Sequence, residues 1–194
     1  MKRVTPWSHY LLGLIAAVFV LQTVVPGLTE LFWLDPKNLA AKPWGLLTSI
    51  FLHGSITHLF FNGFALLMFG PLLESQLGSK KFFSLFLAAG LGGSLLYFAF
   101  YALGLSAGVP ALGASGAVYG VLGALAILAP NIVVLVFFIP MPIRQAALVW
   151  VAIEFLGTFN PASGIASAAH FGGLIVGFAA AKFLSGTAQI KIFT

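Results

Sequence analysis

Several polar or ionisable side chains lie within apolar stretches of this 194-residue sequence. They are His53, His58, Asn62, Ser115, Tyr119, Glu154 and His170. A polar side chain surrounded by hydrocarbon is costly, so each of these is a candidate functional residue. A serine and a histidine can perform nucleophilic catalysis, in which the imidazole takes the hydroxyl proton as the oxygen attacks a carbonyl. The candidate chemistry is therefore nucleophilic attack on a carbonyl by Ser115, with His170 as the base.

The spacing of these residues predicts which of them share a helix face. His58 and Asn62 are four residues apart, and so are Ser115 and Tyr119. His53 precedes His58 by five residues, about 140° around a helix, and no carboxylate lies between them. A two-histidine zinc helix needs histidines four residues apart with a glutamate between them, so this spacing argues against a zinc site. We expect that no metal or organic cofactor is needed. His58, Asn62 and the backbone N–H groups opening the Ser115 helix could instead stabilise an oxyanion.

The composition predicts that membrane-spanning helices position these residues. Sixty per cent of the residues are hydrophobic and 7% are charged, and the mean hydropathy is +1.08. A soluble domain carries roughly a quarter charged residues. Four segments contain no Asp, Glu, Lys or Arg: 4–29, 43–73, 82–143 and 155–181. We therefore expect an all-α polytopic membrane protein, with residues 1–194 forming a single membrane domain. The absence of cysteine excludes disulfides and thiol chemistry.

Proline, glycine and charged turns divide the chain into six predicted transmembrane spans. These are 8–27, 49–73, 82–103, 113–129, 143–159 and 163–184. The apolar segment 132–139 is too short to cross a bilayer and is predicted to be an interfacial connection. Lys2 and Arg3 before the first span resemble a signal sequence. The span lacks a clear cleavage site, however, and is interpreted as a retained helix.

Basic residues predict that both termini lie on the cytoplasmic side, N-in and C-in. In that topology the outer side holds only Lys37 and Lys42. The inner side holds Lys2, Arg3, Lys80, Lys81, Arg144, Lys182 and Lys191. This distribution follows the positive-inside rule. The net charge of +5 is expected to contact lipid head groups rather than nucleic acid.

The same topology predicts that the candidate residues meet at one depth. The first halves of spans two, four and six then share the outer leaflet, and these contain His58, Ser115 and His170 respectively. Small residues at four-residue spacing allow membrane helices to approach closely. Spans four and six carry them at Gly113, Gly116, Gly120, Gly123, Gly173 and Gly177. Ser115 and His170 are therefore expected within hydrogen-bond distance.

Motifs on three spans resemble the rhomboid family of intramembrane serine proteases, over about residues 44–177. The matching residues are Gly113-Ala114-Ser115-Gly116 with Tyr119, then His53, His58 and Asn62, and finally His170 with Gly173 and Gly177. Glu74 with Gly78 and Ser79 resembles the turn after the family's second helix. One departure lies in the first loop, where many members have Trp-Arg and this chain has Trp44-Gly45.

The resemblance implies a six-helix, rhomboid-like serine endopeptidase with a Ser115–His170 dyad. His58, Asn62 and the Ser115 amide would form its oxyanion hole. Gly113 belongs to the serine motif, Tyr119 would pack on His170, and His53 would support the hole and its water. Span five and the loop 159–165 would act as a mobile gate and cap.

The resemblance also implies what the protein acts on and where. Its substrates would be transmembrane segments of other membrane proteins, cut near their outer ends. We expect a small residue such as alanine before the bond and helix-weakening glycine or proline nearby, because helical backbone is internally hydrogen-bonded in lipid. No obligate protein partner is evident. The expected location is a cell membrane, in particular a bacterial inner membrane.

Three alternatives remain at this point. A catalytically silent rhomboid-like protein that chaperones membrane clients would share the fold. A small transporter or channel would need midplane charge pairs or repeated broken helices, which are not evident. Ser115 alone could be a helix-packing residue. Glu154 is interpreted as part of a buried polar pair or as facing water, with a third catalytic member as the alternative. Glu74 is expected to cap the turn that follows it, with a proton-relay role as the alternative.

Overall fold

The computed structural model describes residues 7–136, 138–159 and 167–187, and these are mostly helical. The helices are α1 (Trp7–Val24), α2 (Leu28–Phe32), α3 (Gly45–Thr48), α4 (Ile56–Leu77), α5 (Ser79–Ala102), α6 (Ser115–Leu128), α7 (Ile143–Thr158) and α8 (Ser167–Thr187). Short 3-10 turns occupy Pro36–Asn38 and Ser49–Phe51. Two strands, β1 (Val133–Val136) and β2 (Ile139–Pro142), lie between α6 and α7.

Four helices in the described part of the chain are long and apolar enough to cross a bilayer. They are α1, α4, α5 and the Ser167–Leu184 portion of α8. Helix α6 is equally apolar but has only 14 residues, and α7 has 16. Both short helices lie close to their predicted ranges of 113–129 and 143–159. Residues 163–166 of the sixth predicted span lie outside the described residues.

Helix α6 forms the centre of the bundle, and almost all of its residues are buried. Its backbone packs directly against that of α8. A methyl group on Gly173 or Gly177 would overlap the backbone carbonyl of Gly116 or Gly120, respectively. Helix α5 approaches α8 in the same way, because a methyl group on Gly93 would overlap the carbonyl of Ala169. The expectation that small residues bring these helices together is confirmed.

Helix α4 begins later than the sequence predicted for span two. Residues 49–55 form a 3-10 turn and an extended segment, and the helix begins at Ile56. The reason is an N-cap: Ser55 has extended backbone (φ −162°), and its hydroxyl accepts a hydrogen bond from the His58 backbone N–H at 3.1 Å. The predicted start at residue 49 is therefore wrong, and His53 precedes the helix.

Glycine reduces the predicted polar turn after α4 to one residue. Helix α4 continues to Leu77 and α5 begins at Ser79, because Gly78 adopts a φ of +76° that favours glycine. Glu74 is only 1% exposed. Its carboxylate bonds Ser79, in line with the expected cap. It also accepts hydrogen bonds from the backbone of Trp7 (3.0 Å) and from the backbone and hydroxyl of Ser8 (3.0 and 2.8 Å). Glu74 thus ties the start of α1 to the end of α4.

The connection between α6 and α7 is an antiparallel hairpin, which modifies the all-α expectation. Strand β1 pairs with β2 in the register Val133↔Pro142 to Val136↔Ile139. Alternation places Val134 and Val136 in the core and leaves Val133 exposed. Valines suit an extended pleated backbone, and the prolines of β2 exclude a helix there. The segment predicted as an interfacial connection therefore has regular structure.

The segment between α1 and α4 packs against the loop that precedes α6. Leu34 and Ala111 exchange two backbone hydrogen bonds, at 2.9 and 2.8 Å. Gly45 is buried against this segment. A Cβ there would lie 2.5 Å from the carbonyl oxygen of Trp33. Glycine at this position thus has a local steric reason.

Candidate active site

Ser115 is the first residue of α6, and a glycine two residues earlier shapes the approach to it. Gly113 has a φ of +130° and donates its N–H to the Ser49 carbonyl at 2.9 Å. A Cβ at Gly113 would lie 2.7 Å from His58 Nε2 and 3.7 Å from Ser115 Oγ. Glycine therefore satisfies the backbone conformation and allows the His58 ring to approach the serine. The N–H groups that open α6 have no acceptor earlier in the helix.

His170 lies on α8 beside this helix end. Its Nε2 is 2.7 Å from Ser115 Oγ, which is hydrogen-bond distance. The close backbone packing of Gly116 against Gly173, one residue after the serine and three after the histidine, sets this separation. The two side chains that the sequence singled out on separate spans are thus brought together.

Glu154 and Tyr119 complete the surroundings of the imidazole. Glu154 Oε1 lies 3.1 Å from His170 Nδ1, and the Tyr119 hydroxyl donates a hydrogen bond to the same oxygen at 2.6 Å. The Tyr119 ring stacks on the His170 ring, with centroids 4.7 Å apart and planes 13° apart. Glu154 is 5% exposed. It is therefore part of a buried polar cluster and does not face water.

His58 and Asn62 line one cavity together with the residues just described. The cavity has a volume of 710 Å³, and Ser115, Tyr119 and His170 also line it. The rest of its wall is largely apolar and includes Phe61, Ala65, Val118, Leu122 and Trp150. The Asn62 amide donates to the His58 carbonyl at 3.0 Å, within its own helix. Donors and a nucleophile therefore face a common space among apolar helices.

His53 lies behind this cavity rather than on its wall. Its ring packs against His58, with centroids 5.1 Å apart and planes 66° apart. Both of its ring nitrogens are buried. Burial, with a smaller contribution from the charge of His58, lowers the pKa of His53 to about 4. The imidazole is therefore neutral at neutral pH and supports His58 by packing.

Gln22 on α1 holds the backbone beside His53, a role that the sequence analysis missed. The His53 N–H donates to Gln22 Oε1 at 2.9 Å, and Gln22 Nε2 donates to the His53 carbonyl at 3.2 Å. The available signal was a glutamine within an apolar span. The contact between Glu154 and His170 is compatible with the alternative given above, in which Glu154 is a third catalytic member, but the sequence did not predict that contact.

The arrangement is suited to acyl transfer. A serine hydroxyl lies against one nitrogen of an imidazole, and a carboxylate lies against the other. Such a pair can move the serine proton as the oxygen attacks a carbonyl. The cavity beside it is large enough for part of a polypeptide, and His58 and Asn62 face the same space.

Comparison with known proteins identifies the family. The family model described as "Rhomboid domain" matches residues 40–187. The chain is 40% identical to "Rhomboid protease GluP" of Bacillus subtilis (strain 168) over 148 residues, 73% of this chain and 26% of that protein. It is 35% identical to "Rhomboid protein 1, mitochondrial" of Saccharomyces cerevisiae over 179 residues, 87% of this chain and 50% of that protein.

A third relative is covered more fully. "Putative rhomboid protease YdcA" of Bacillus subtilis (strain 168) is 30% identical over 127 residues, 62% of this chain and 61% of that protein. The chain thus spans about a quarter of the GluP sequence and half of the yeast protein. The domain match covers most of the chain and includes Ser115 and His170. The chain is a multi-pass membrane protein that belongs to the rhomboid family.

Proposed function

We propose that the chain is an intramembrane serine endopeptidase that uses Ser115 as nucleophile and His170 as general base. One observation carries the proposal: Ser115 Oγ lies 2.7 Å from His170 Nε2, beside a cavity between apolar helices. Similarity to relatives named as rhomboid proteases supports it. A serine used only for helix packing needs no histidine at that distance.

In the proposed reaction, His170 Nε2 accepts the hydroxyl proton as Ser115 Oγ forms a bond to the carbonyl carbon of the scissile peptide. The tetrahedral intermediate carries a negative oxygen. The Ser115 N–H, His58 and Asn62 are the proposed donors to it, and Asn62 would release its present bond to the His58 carbonyl. The protonated His170 then gives its proton to the leaving amine, and the C–N bond breaks.

Hydrolysis of the acyl-enzyme completes the cycle. His170 takes a proton from a water molecule, whose oxygen attacks the acyl carbon. The proton then returns to Ser115 Oγ as the product carboxyl group leaves. No metal or organic cofactor is needed in this scheme. His53, packed behind His58, is proposed to support the oxyanion hole and its water from the second layer. Gly113 is proposed to keep that space open.

We further propose six membrane spans, formed by α1, α4, α5, α6, α7 and α8, with both termini inside. The length of α6 supports a site below the outer surface. Its 14 residues rise about 21 Å at 1.5 Å each, against a hydrocarbon core of about 30 Å. With its C-terminal end at the inner boundary, Ser115 lies about 9 Å below the outer one.

The proposed substrates are transmembrane segments of other membrane proteins, cleaved near their outer ends. A helix in lipid satisfies its own backbone hydrogen bonds, so only a locally unwound segment can present its peptide bond. We therefore expect glycine or proline near the bond and a small residue before it. Lipids are the proposed surroundings of the apolar outer faces, and no obligate protein partner is proposed. The proposed location is a cell membrane of the bacterial inner-membrane type, which fractionation and immunoblotting test.

The deciding experiment is cleavage of a transmembrane reporter in proteoliposomes. We expect the wild type to release a fragment, and Ser115→Ala and His170→Ala each to abolish its release. Ser75→Ala is the matched control, because Ser75 is an exposed serine at the far end of α4. Its hydroxyl donates a hydrogen bond to the nearby Leu72 carbonyl. Cleavage that survives in Ser115→Ala contradicts the proposal. Reporter binding without cleavage by the wild type favours the catalytically silent chaperone instead.

A further inference from the structure

The Glu154 carboxylate occupies an expensive position that a simple serine–histidine pair does not require. It is 5% exposed and lies four residues before the end of the apolar helix α7. A buried carboxylate is tolerated only when its environment compensates for lost hydration. Three groups around it can do so: the Tyr119 hydroxyl, the Ser167 hydroxyl and the His170 imidazole. All three residues line the candidate active site.

The carboxylate and the serine lie at opposite nitrogens of one ring. Ser115 Oγ is 2.7 Å from Nε2, and Glu154 Oε1 is 3.1 Å from Nδ1. A neutral imidazole carries its proton on one nitrogen and accepts at the other. A carboxylate beside Nδ1 favours the proton at that nitrogen, which leaves Nε2 free to accept the proton of Ser115. It also stabilises the imidazolium that forms after this transfer.

Tyr119 determines where the carboxylate oxygen lies. Its hydroxyl donates to the same Oε1 at 2.6 Å, and its ring is stacked at 4.7 Å on the imidazole. The same oxygen lies 3.1 Å from His170 Nδ1. Tyr119 thus acts on His170 both directly, by stacking, and through Glu154.

We infer that Glu154 is a positioning residue for His170, held in place by the Tyr119 hydroxyl, so that the site acts as a serine–histidine–glutamate triad. Glu154 sets the tautomer and orientation of the imidazole and remains ionised throughout. The inference rests on the proposed function, because it assigns a role within the same reaction. It makes two separate predictions. The first is that turnover falls when Glu154 loses its charge. The second is that the effect of the Tyr119 hydroxyl on turnover requires the Glu154 carboxylate.

The turnover test uses Glu154→Gln, which preserves shape and removes the charge. We expect kcat for the reporter to fall about 10- to 100-fold with KM within about twofold, since the change affects proton transfer and not substrate binding. The rate at which a fluorophosphonate labels Ser115 is expected to fall by a similar factor. Glu30→Gln is the matched control, because Glu30 is an exposed carboxylate on α2; its kcat is expected to stay within about twofold.

The dependence test uses Tyr119→Phe, which retains the stacked ring and removes the hydroxyl. We expect kcat to fall several-fold in the wild-type background and to change little in the Glu154→Gln background, because the hydroxyl acts through the carboxylate. A role of Glu154 in stability alone predicts independent effects and an unchanged kcat in folded enzyme. If Glu154→Gln does not fold, a Tyr119→Phe variant with wild-type kcat overturns the inference.

Different results would contradict the proposed function and the role of Glu154. A wild-type protein that neither labels at Ser115 nor cleaves the reporter contradicts the proposed function. A wild type that does both, alongside a folded Glu154→Gln variant of equal kcat, contradicts only the role of Glu154. A loss confined to KM also contradicts it, because a positioning residue for the base does not act on ground-state binding.

Discussion

The substitution Gly173→Ala tests whether backbone packing between α6 and α8 sets the distance between Ser115 and His170. A Cβ at Gly173 would overlap the Gly116 carbonyl oxygen and lie 2.7 Å from the carbonyl carbon. Carbon atoms in ordinary contact are about 3.5–4.0 Å apart. The obstacle is backbone and cannot rotate away, so α8 must retreat by about 1 Å.

The magnitude follows from this retreat. Overpacking a tight interface costs about 1–3 kcal/mol, which exceeds the 0.5–1 kcal/mol that alanine gains over glycine in a helix. A displacement of about 1 Å takes the Ser115–His170 separation from 2.7 Å beyond the range of a hydrogen bond. Misplacement on that scale costs about 100-fold in rate. We therefore expect lower stability and much slower reporter cleavage together.

Two measurements on purified protein in lipid or detergent check this prediction. Reversible unfolding gives the stability, and fluorophosphonate labelling gives the reactivity of Ser115. Gly13→Ala is the matched control, because it lies in helix α1 and a Cβ there meets nothing within 4 Å. This control is expected to keep full labelling and to lose no stability. If Gly173→Ala is as stable and as reactive as the control, the packing argument is wrong.

Three further predictions concern parts of the fold that support the site. Glu74→Ala removes the acceptor of three hydrogen bonds from the start of α1 and is expected to cost about 3–5 kcal/mol of unfolding free energy; equal loss in the exposed-site variant Glu30→Ala would refute this. Because folding lowers the pKa of His53 from 6.5 to about 4, the unfolded chain binds more protons than the folded chain between these pH values. The free energy of unfolding is therefore expected to fall by about 3 kcal/mol as the pH drops from 6.5 towards 4. In urea titrations of His53→Gln this pH dependence should be absent. Gly45→Ala places a Cβ against the Trp33 carbonyl and is expected to reduce the free energy of unfolding by about 1–3 kcal/mol. The midpoint of thermal unfolding should fall accordingly, and an unchanged midpoint would contradict this prediction.

The meeting of Ser115 and His170 could be predicted because lipid makes polar residues informative. An unpaired polar side chain is costly in hydrocarbon, so the polar side chains found in apolar stretches are expected to contact one another. The basic residues predicted an orientation of the spans that places both side chains in one leaflet. Glycines at Gly116 and Gly173 then indicated which helices approach closely, and the structure shows their backbones in contact. Composition, charge and spacing together were enough for this part of the site.

The contact of Glu154 with His170 could not be predicted from spacing. It depends on how far α7 rotates about its own axis relative to α8, and no periodicity in a 16-residue apolar helix encodes that angle. Tyr119 offered a partial signal, since it shares a face with Ser115. A tyrosine hydroxyl in lipid needs a partner, and the structure supplies it from a third helix.

Local errors at the ends of spans have local causes. Residues 49–55 were predicted as helix from their apolarity, but Ser55 is an N-cap, and Gly54 next to it was an available signal. The apolar segment 132–139, which contains β1, was correctly predicted as too short to cross a bilayer. A short apolar run does not by itself distinguish a strand from a loop, however. Pairing with β2 decides that, and pairing is a tertiary property.

The central claim is that Ser115 is activated by His170, and site-specific labelling tests it most directly. The protein in native membranes is treated with a fluorophosphonate, digested, and analysed by mass spectrometry. The account predicts a single adduct on the peptide containing Ser115, absent in Ser115→Ala and strongly reduced in His170→Ala. No adduct at Ser115, or equal labelling with and without His170, would contradict it.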